Sequence, residues 1–139
     1  MYQNIPMQKL VYFIVFSVLF LSCQSKKEQL QNPLYEEVMF IHDEVMPKMG
    51  QMHKLKKELK SLKDKHPQSI DSILSAIKVI DDADEGMMAW MAEFRMPENK
   101  AETTAYLEKE KVKIQKVSDD MYYSMELAQK LINSLNQKK

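Results

Sequence analysis

A histidine and several methionines are the residues of this chain whose types could bind a metal ion. His42 and Met46 lie in one predicted helix, and Met87 and Met91 lie in the next. If the second helix folds back along the first, these four side chains face one another beside Trp90. Imidazole and thioether groups are ligands for Cu(I), and an indole face can contact a cation. Residues that form the core of a helical bundle have this same spacing, and methionine fills irregular gaps beside aromatic rings. We therefore expect packing rather than metal binding.

Asp84 is an acidic residue at a position where the helical pattern is otherwise apolar. A buried carboxylate without a partner is costly, and the same folding back places Lys48 opposite it. We expect an ion pair that sets the alignment of the two helices, as polar seam residues often do, and not a catalytic acid. Three further acidic residues lie close to Asp84 in the sequence, and they are Asp81, Asp82 and Glu85. They form either a solvated face or a binding site for a divalent cation.

Motifs of catalysis and cofactor binding are absent from the sequence. It contains no GxSxG, HExxH, P-loop, GxGxxG or CxxCH pattern. His42 is followed by Asp43 and Glu44, but adjacent helical residues point in different directions and do not form a dyad. We expect neither an enzyme activity nor a cofactor.

Cys23 is the only cysteine and follows an apolar segment. Leu10–Leu21 would span only about 18 Å as a helix, whereas a membrane core is roughly 30 Å thick. With the basic Lys9 before it and small Ser22 after it, the segment predicts a secretory signal rather than a spanning helix. The residues FLSC that end at Cys23 resemble a bacterial lipobox, in which the cysteine receives a diacylglycerol and becomes the mature N-terminus.

This resemblance implies an anchored protein whose thiol is used, so that no disulfide, nucleophilic thiolate or Cys-bound metal remains. Cys23 would carry at least two acyl chains, which is enough for stable anchoring. We predict a signal peptide at 1–22, a lipid-anchored spacer at 23–31 and one domain at 32–139. A spanning anchor and a signal cleaved without lipidation are the alternatives. Gln24 is not an acidic retention signal, which favours the outer membrane.

Charge and composition indicate a helical domain that does not bind nucleic acid. Twenty bases balance twenty acids, which gives no electrostatic attraction to nucleic acid. The chain has two glycines, Gly50 and Gly86, whereas strand-rich folds need more turns. A glycine within a helix costs about 1 kcal/mol relative to alanine. We therefore expect a close approach of helices, or a bend, at these two positions.

Apolar residues recur every three or four positions in three segments, which predicts three amphipathic helices. Asn32 and Pro33 should begin the first helix, and Pro47 should kink it. Asn99 and Glu102 fit a capping box at the start of the third helix. Each helix has one apolar face, so we predict an all-α, antiparallel up-down-up three-helix bundle, with a homodimeric bundle as the alternative. The predicted helices span about 33–64, 69–95 and 100–136.

Three segments resemble a family of small lipoproteins from Bacteroidota that are often labelled "viral A-type inclusion protein". They are Asn32–Met49 (NPLYEEVMFIHDEVMPKM), Ala83–Met91 (ADEGMMAWM) and Lys116–Met121 (KVSDDM). The resemblance covers most of the mature chain, and HDEVMPKM is its most specific part. It implies lipidation and a Gram-negative envelope, and it brings no activity and no functional residues with it.

These patterns predict a non-enzymatic, lipid-anchored envelope protein that acts as a helical protein–protein interaction module. Its expected partners are the membrane, through the anchor, and another envelope protein or a second copy of the chain. The alternative is a periplasmic Cu(I)-binding protein that uses His42, Met46, Met87 and Met91. The lysines between Lys54 and Lys65 are expected to form a solvated face, and attraction to anionic lipid headgroups is the functional alternative.

Overall fold

The structure is a computed structural model that describes residues 32–137. Within that range the chain forms helices joined by turns, and no strand. The predicted all-α class is confirmed. The predicted signal peptide, Cys23 and the spacer before Asn32 lie outside the described residues. The helices are α1 (Pro33–Val45), α2 (Met49–Leu62), α3 (Ile70–Glu93) and α4 (Lys100–Gln137).

The first of the three predicted helices is interrupted at Pro47, as the sequence predicts. Met46–Lys48 forms a single 3₁₀ turn between α1 and α2. Proline has no N–H to donate to the preceding turn, and its ring crowds the carbonyl four residues earlier. Val45 and Lys48 keep right-handed helical backbone angles on either side of the proline. The chain therefore changes its helical geometry at Pro47 without forming a loop.

Asparagine side chains cap the N-termini of α1 and α4. The side-chain oxygen of Asn32 accepts a hydrogen bond from the N–H of Leu34 at 3.0 Å. Asn99 accepts one from the N–H of Ala101 at 3.0 Å. Both contacts satisfy N–H groups that have no partner within their own helix. Glu102 contacts Asn99, as the capping box requires, but it accepts its hydrogen bond from the side-chain amide at 3.2 Å.

Two short connections turn the chain between the helices. After α2, the N–H of His66 donates to the carbonyl of Leu62 at 3.0 Å, and Pro67–Ser69 forms a 3₁₀ turn before α3. After α3, Phe94 adopts an extended backbone conformation with ψ at 115°. Its N–H donates to the carbonyl of Trp90 at 2.9 Å and completes the last turn of α3. Both helices end shortly before a proline, which cannot continue them.

The apolar faces of the helices pack against one another in the compact unit that begins at Glu37. Burial of these side chains supplies the main stabilising free energy, since no single helix could bury its own face. Among residues 32–137, no helix is long and apolar enough to cross a membrane. The largest fully buried side chains come from every helix and are Val38, Val45, Met52, Leu59, Ile73, Ile80, Met87, Leu107, Ile114, Met121, Ile132 and Leu135.

The glycines do not mark close contacts between helices. A Cβ atom placed on Gly50 or on Gly86 would meet nothing within 4 Å. Neither glycine has a positive φ. The expectation of close helix approach at these positions is therefore wrong, because the space beside both backbones is open.

Candidate functional site

Two of the residues singled out for chemistry meet across the contact between α1 and α3. The ring centroids of His42 and Trp90 lie 5.5 Å apart, and the ring planes are inclined by 33°. The side chain of His42 is 16% exposed, and Trp90 is 6% exposed. The Nδ1 atom of His42 lies 2.8 Å from a carboxylate oxygen of Asp43. The imidazole thus contacts both an aromatic ring and a surface carboxylate, and the expectation that the side chains of His42 and Asp43 point apart is wrong.

The contact continues as a row of rings from α1 to α4. The centroids of Trp90 and Phe94 are 4.9 Å apart, and those of Phe94 and Tyr106 are 5.9 Å apart. Tilted ring pairs at these separations are favourable beyond the area they bury. The hydroxyl of Tyr106 accepts a hydrogen bond from the N–H of Arg95 at 2.8 Å. The row therefore links all three helical segments and reaches α4 at Tyr106.

The methionines proposed as metal ligands differ in how far they are buried. Met87 is fully buried in the core, whereas Met46 and Met91 are partly exposed. Within residues 32–137, no three histidine, cysteine or acidic side chains are grouped where they could hold a metal ion. His42 contacts the ring of Trp90 and the carboxylate of Asp43, and the ring contact is of the kind found in packed helix interfaces.

A Cu(I) titration separates packing from ligation at this interface. We expect no quenching of Trp90 fluorescence and no rise in melting temperature as Cu(I) is added, because His42 packs on Trp90 and Met87 is fully buried in the core. A ligand that bound only the folded chain would instead raise the melting temperature as its concentration increases. The matched variant is His42→Ala, which should change stability without changing the response to copper. Saturable Cu(I) binding that His42→Ala abolishes would contradict this prediction and support the metal-binding alternative.

Asp84 lies beside His53, and its predicted pairing with Lys48 is wrong. The Nε2 atom of His53 is 3.2 Å from Oδ1 of Asp84, and the Asp84 side chain is 29% exposed. Within residues 32–137, the buried Oδ1 atom accepts no aligned hydrogen bond. The two side chains are therefore close together without forming a hydrogen bond, and they form an ion pair only when the imidazole is protonated. One helical turn away, Lys56 donates a hydrogen bond to Asp81.

The alignment of α2 with α3 explains why Lys48 misses Asp84. The contacts of His53 with Asp84 and of Lys56 with Asp81 place the residue that faces Asp84 five positions after Lys48 in the chain. Lys48 lies in the 3₁₀ turn at Pro47 and lines a groove beside α4, together with Gln51, Tyr122 and Glu126. The predicted pairing assumed one antiparallel alignment along the whole of the first predicted helix.

Glu110 is a buried acidic residue that the sequence pattern missed. It is 4% exposed and accepts a hydrogen bond from the Nζ atom of Lys113 at 2.8 Å. This hydrogen bond and the charge of Glu110 raise the pKa of Lys113 above its usual value. Its position in the sequence could have indicated burial, because Glu110 lies three residues after Leu107 and four before Ile114, both of which are fully buried. A helical pattern that is read from apolar residues alone does not include Glu110.

Polar contacts hold α1 beside α4 at two levels. Lys111 donates a hydrogen bond to Glu37, and the hydroxyl of Tyr122 donates one to Glu44 at 3.3 Å. Burial, and then the nearby carboxylate of Glu44, raise the pKa of Tyr122. Glu37 and Glu44 are seven residues apart on α1, or about two helical turns. Phe40 lies between them in the chain.

Large apolar side chains are exposed along this line of contacts. Phe40 is 69% exposed, Val112 is 71% exposed and Tyr123 is 60% exposed, and Tyr122 is 41% exposed. Val112 follows Lys111 and Tyr123 follows Tyr122, so all four lie at the level of the α1–α4 contacts, although adjacent residues of a helix point about 100° apart. We call these four residues the apolar patch. Aromatic side chains are enriched at protein–protein interaction sites.

Comparison with protein-family models, with curated proteins and with solved structures finds no match to this chain.

Proposed function

We propose that this chain is a non-enzymatic, lipid-anchored envelope protein that binds another envelope protein through its helical domain. The observation that carries this proposal is the apolar patch of Phe40, Val112, Tyr122 and Tyr123. Exposed aromatic side chains of this size supply contact area at a low cost in conformational entropy. The anchor rests on the lipobox that ends at Cys23, and the residue after it favours the outer membrane.

The helices of this domain are proposed to run up, down and up. Two pairs of contacts support that order. His53 contacts Asp84 and Lys56 contacts Asp81, so residue numbers rise along α2 as they fall along α3, which is antiparallel. In contrast, Glu37 contacts Lys111 and Glu44 contacts Tyr122, and these numbers rise together. The first and third segments are parallel in this arrangement, and both contribute residues to the patch.

Site-specific photo-crosslinking in intact cells tests whether the patch binds a partner. A photoreactive amino acid at Phe40 or at Tyr123 should give the same discrete crosslinked band, because the proposal places both positions in one interface. The matched control is Lys78, which is exposed on α3 and should give no such band. Phe40→Glu, combined with the crosslinker at Tyr123, should remove the band by placing a charge in a desolvated contact.

The mass of the crosslinked band identifies the class of partner. A band at twice the mass of the chain would mean that the patch joins two copies, and any other discrete mass would mean a different envelope protein. Equal crosslinking from Lys78 and from the patch positions, or none from either, would contradict the proposal.

A further inference from the structure

The second half of the first helical segment carries a concentrated positive charge. Between residues 53 and 66 the chain has six lysines and two acids, Glu58 and Asp64. Lysines recur every three residues along α2, and most of these side chains are exposed. We call the following set the basic surface: Lys54, Lys57, Lys60, Lys63 and Lys65. The whole chain is electrically balanced, so this surface is a local segregation of charge.

The lysines of the basic surface form no ion pair with any residue between 32 and 137, whereas most lysines elsewhere in that range do. The paired lysines are Lys56, Lys78, Lys111, Lys113, Lys116 and Lys130, and each has an acidic partner. Glu58 and Asp64 stand among the unpaired lysines and form no ion pair with them. The basic surface therefore keeps its charge available for a partner outside the domain.

An exposed apolar side chain accompanies the basic surface. The contacts of His53 with Asp84 and of Lys56 with Asp81 give the alignment of α2 with α3. Two helical turns farther along, the same alignment places Leu74 beside Lys63. Leu74 is 46% exposed. A lysine-rich helix face beside an exposed leucine is the combination that binds the interface of an anionic membrane.

We propose that the basic surface contacts the anionic headgroups of the membrane in which the protein is anchored. The inference rests on the proposed anchoring at Cys23. Nine residue steps separate Cys23 from Asn32 and can span at most about 30 Å, which lets the helices lie along the membrane. The lysines lie on the flank of α2, so that orientation brings several of them to the headgroups together. Each lysine that lies close to an anionic membrane surface strengthens binding about fivefold.

Lysine labelling of the full-length chain in lipid vesicles tests this contact. The chain is reconstituted in phosphatidylcholine vesicles with or without phosphatidylglycerol, and an amine-reactive reagent is followed at each lysine by mass spectrometry. We expect labelling of all five lysines of the basic surface to fall at least threefold in the anionic vesicles. Raising the salt to about 0.5 M should restore it, because salt screens these charges. Labelling of the paired Lys78 and Lys116 should not change.

Two variants with equal loss of charge provide the matched controls. Lys54→Gln/Lys57→Gln/Lys60→Gln should abolish the protection of Lys63 and Lys65. The second variant, Lys78→Gln/Lys116→Gln/Lys130→Gln, should leave that protection intact. Circular dichroism of each variant checks that the helix content is unchanged.

Vesicle flotation, measured in parallel, reports the anchor separately from the basic surface. Flotation with both vesicle types but equal lysine labelling in both would overturn the basic-surface proposal and leave the anchor standing. Flotation only with anionic vesicles would support the basic surface and contradict the anchor. Protection that extends equally to Lys78 and Lys116 would indicate general adsorption and would also overturn the proposal.

Discussion

Replacing Trp90 by alanine is expected to lower the free energy of unfolding by about 3–5 kcal/mol, which is the usual cost of removing a large aromatic side chain from a core. Trp90 is 6% exposed and packs between His42 and Phe94. A loss of this size is a large fraction of the roughly 5–15 kcal/mol that stabilises a typical domain. Urea unfolding followed by circular dichroism measures it without depending on tryptophan fluorescence.

A conservative variant at the same position separates ring packing from the polar indole nitrogen. The Nε1 atom of Trp90 is buried and has no hydrogen-bond partner within residues 32–137. Leaving such a donor unpaired costs about 1–3 kcal/mol. We therefore expect Trp90→Phe to be close to neutral, because removal of the unpaired donor offsets the lost packing.

The surface control for these variants is Met88→Ala, since Met88 is 52% exposed on the same helix. It should change stability by less than about 0.5 kcal/mol. A Trp90→Ala variant whose unfolding midpoint matches that of Met88→Ala would show that the ring row does not contribute to the core.

Cys23→Ser is expected to abolish lipid labelling of the protein entirely. The serine hydroxyl cannot form the thioether through which a lipobox cysteine receives its diacylglycerol. The precursor should then keep its apolar N-terminal segment, because lipoprotein signal removal follows lipid attachment. Growth with a fatty-acid probe, followed by gel electrophoresis, measures both labelling and precursor size.

The control for the anchor experiment is Phe20→Leu, which brings the segment closer to the usual lipobox. It should be labelled at least as strongly as the parent chain. Equal labelling of the parent and of Cys23→Ser would contradict lipidation at this residue. Absence of labelling in the parent itself would instead favour a spanning anchor or a signal cleaved without lipidation.

Features that depend on neighbouring residues were predictable from the sequence. The interruption at Pro47 follows from the chemistry of proline, and the caps at Asn32 and Asn99 follow from the unpaired N–H groups of a helix start. The contact between His42 and Trp90 was also predictable, because folding one amphipathic helix back along another brings these positions to the same level.

Features that depend on how the helices are aligned and rotated against one another were harder to predict. The pairing of Asp84 with Lys48 failed because the observed alignment brings His53, five positions after Lys48, to Asp84. Burial of Glu110 was missed, since a charged residue is ordinarily assigned to the surface and only its place between Leu107 and Ile114 suggested otherwise.

The sequence by itself determined the all-helical class, the starts of the first and last helices at Pro33 and Lys100, and the place where the first helix breaks. These properties are set within a few residues by backbone hydrogen bonding, capping and the restricted geometry of proline. Only the tertiary structure decided that His53 meets Asp84, that the lysines of the basic surface lack ion-pair partners within residues 32–137, and that Phe40 and Tyr123 lie at the level of the α1–α4 contacts. The physical reason is that these features depend on residues far apart in the chain, and therefore on how the helices are aligned and rotated against one another.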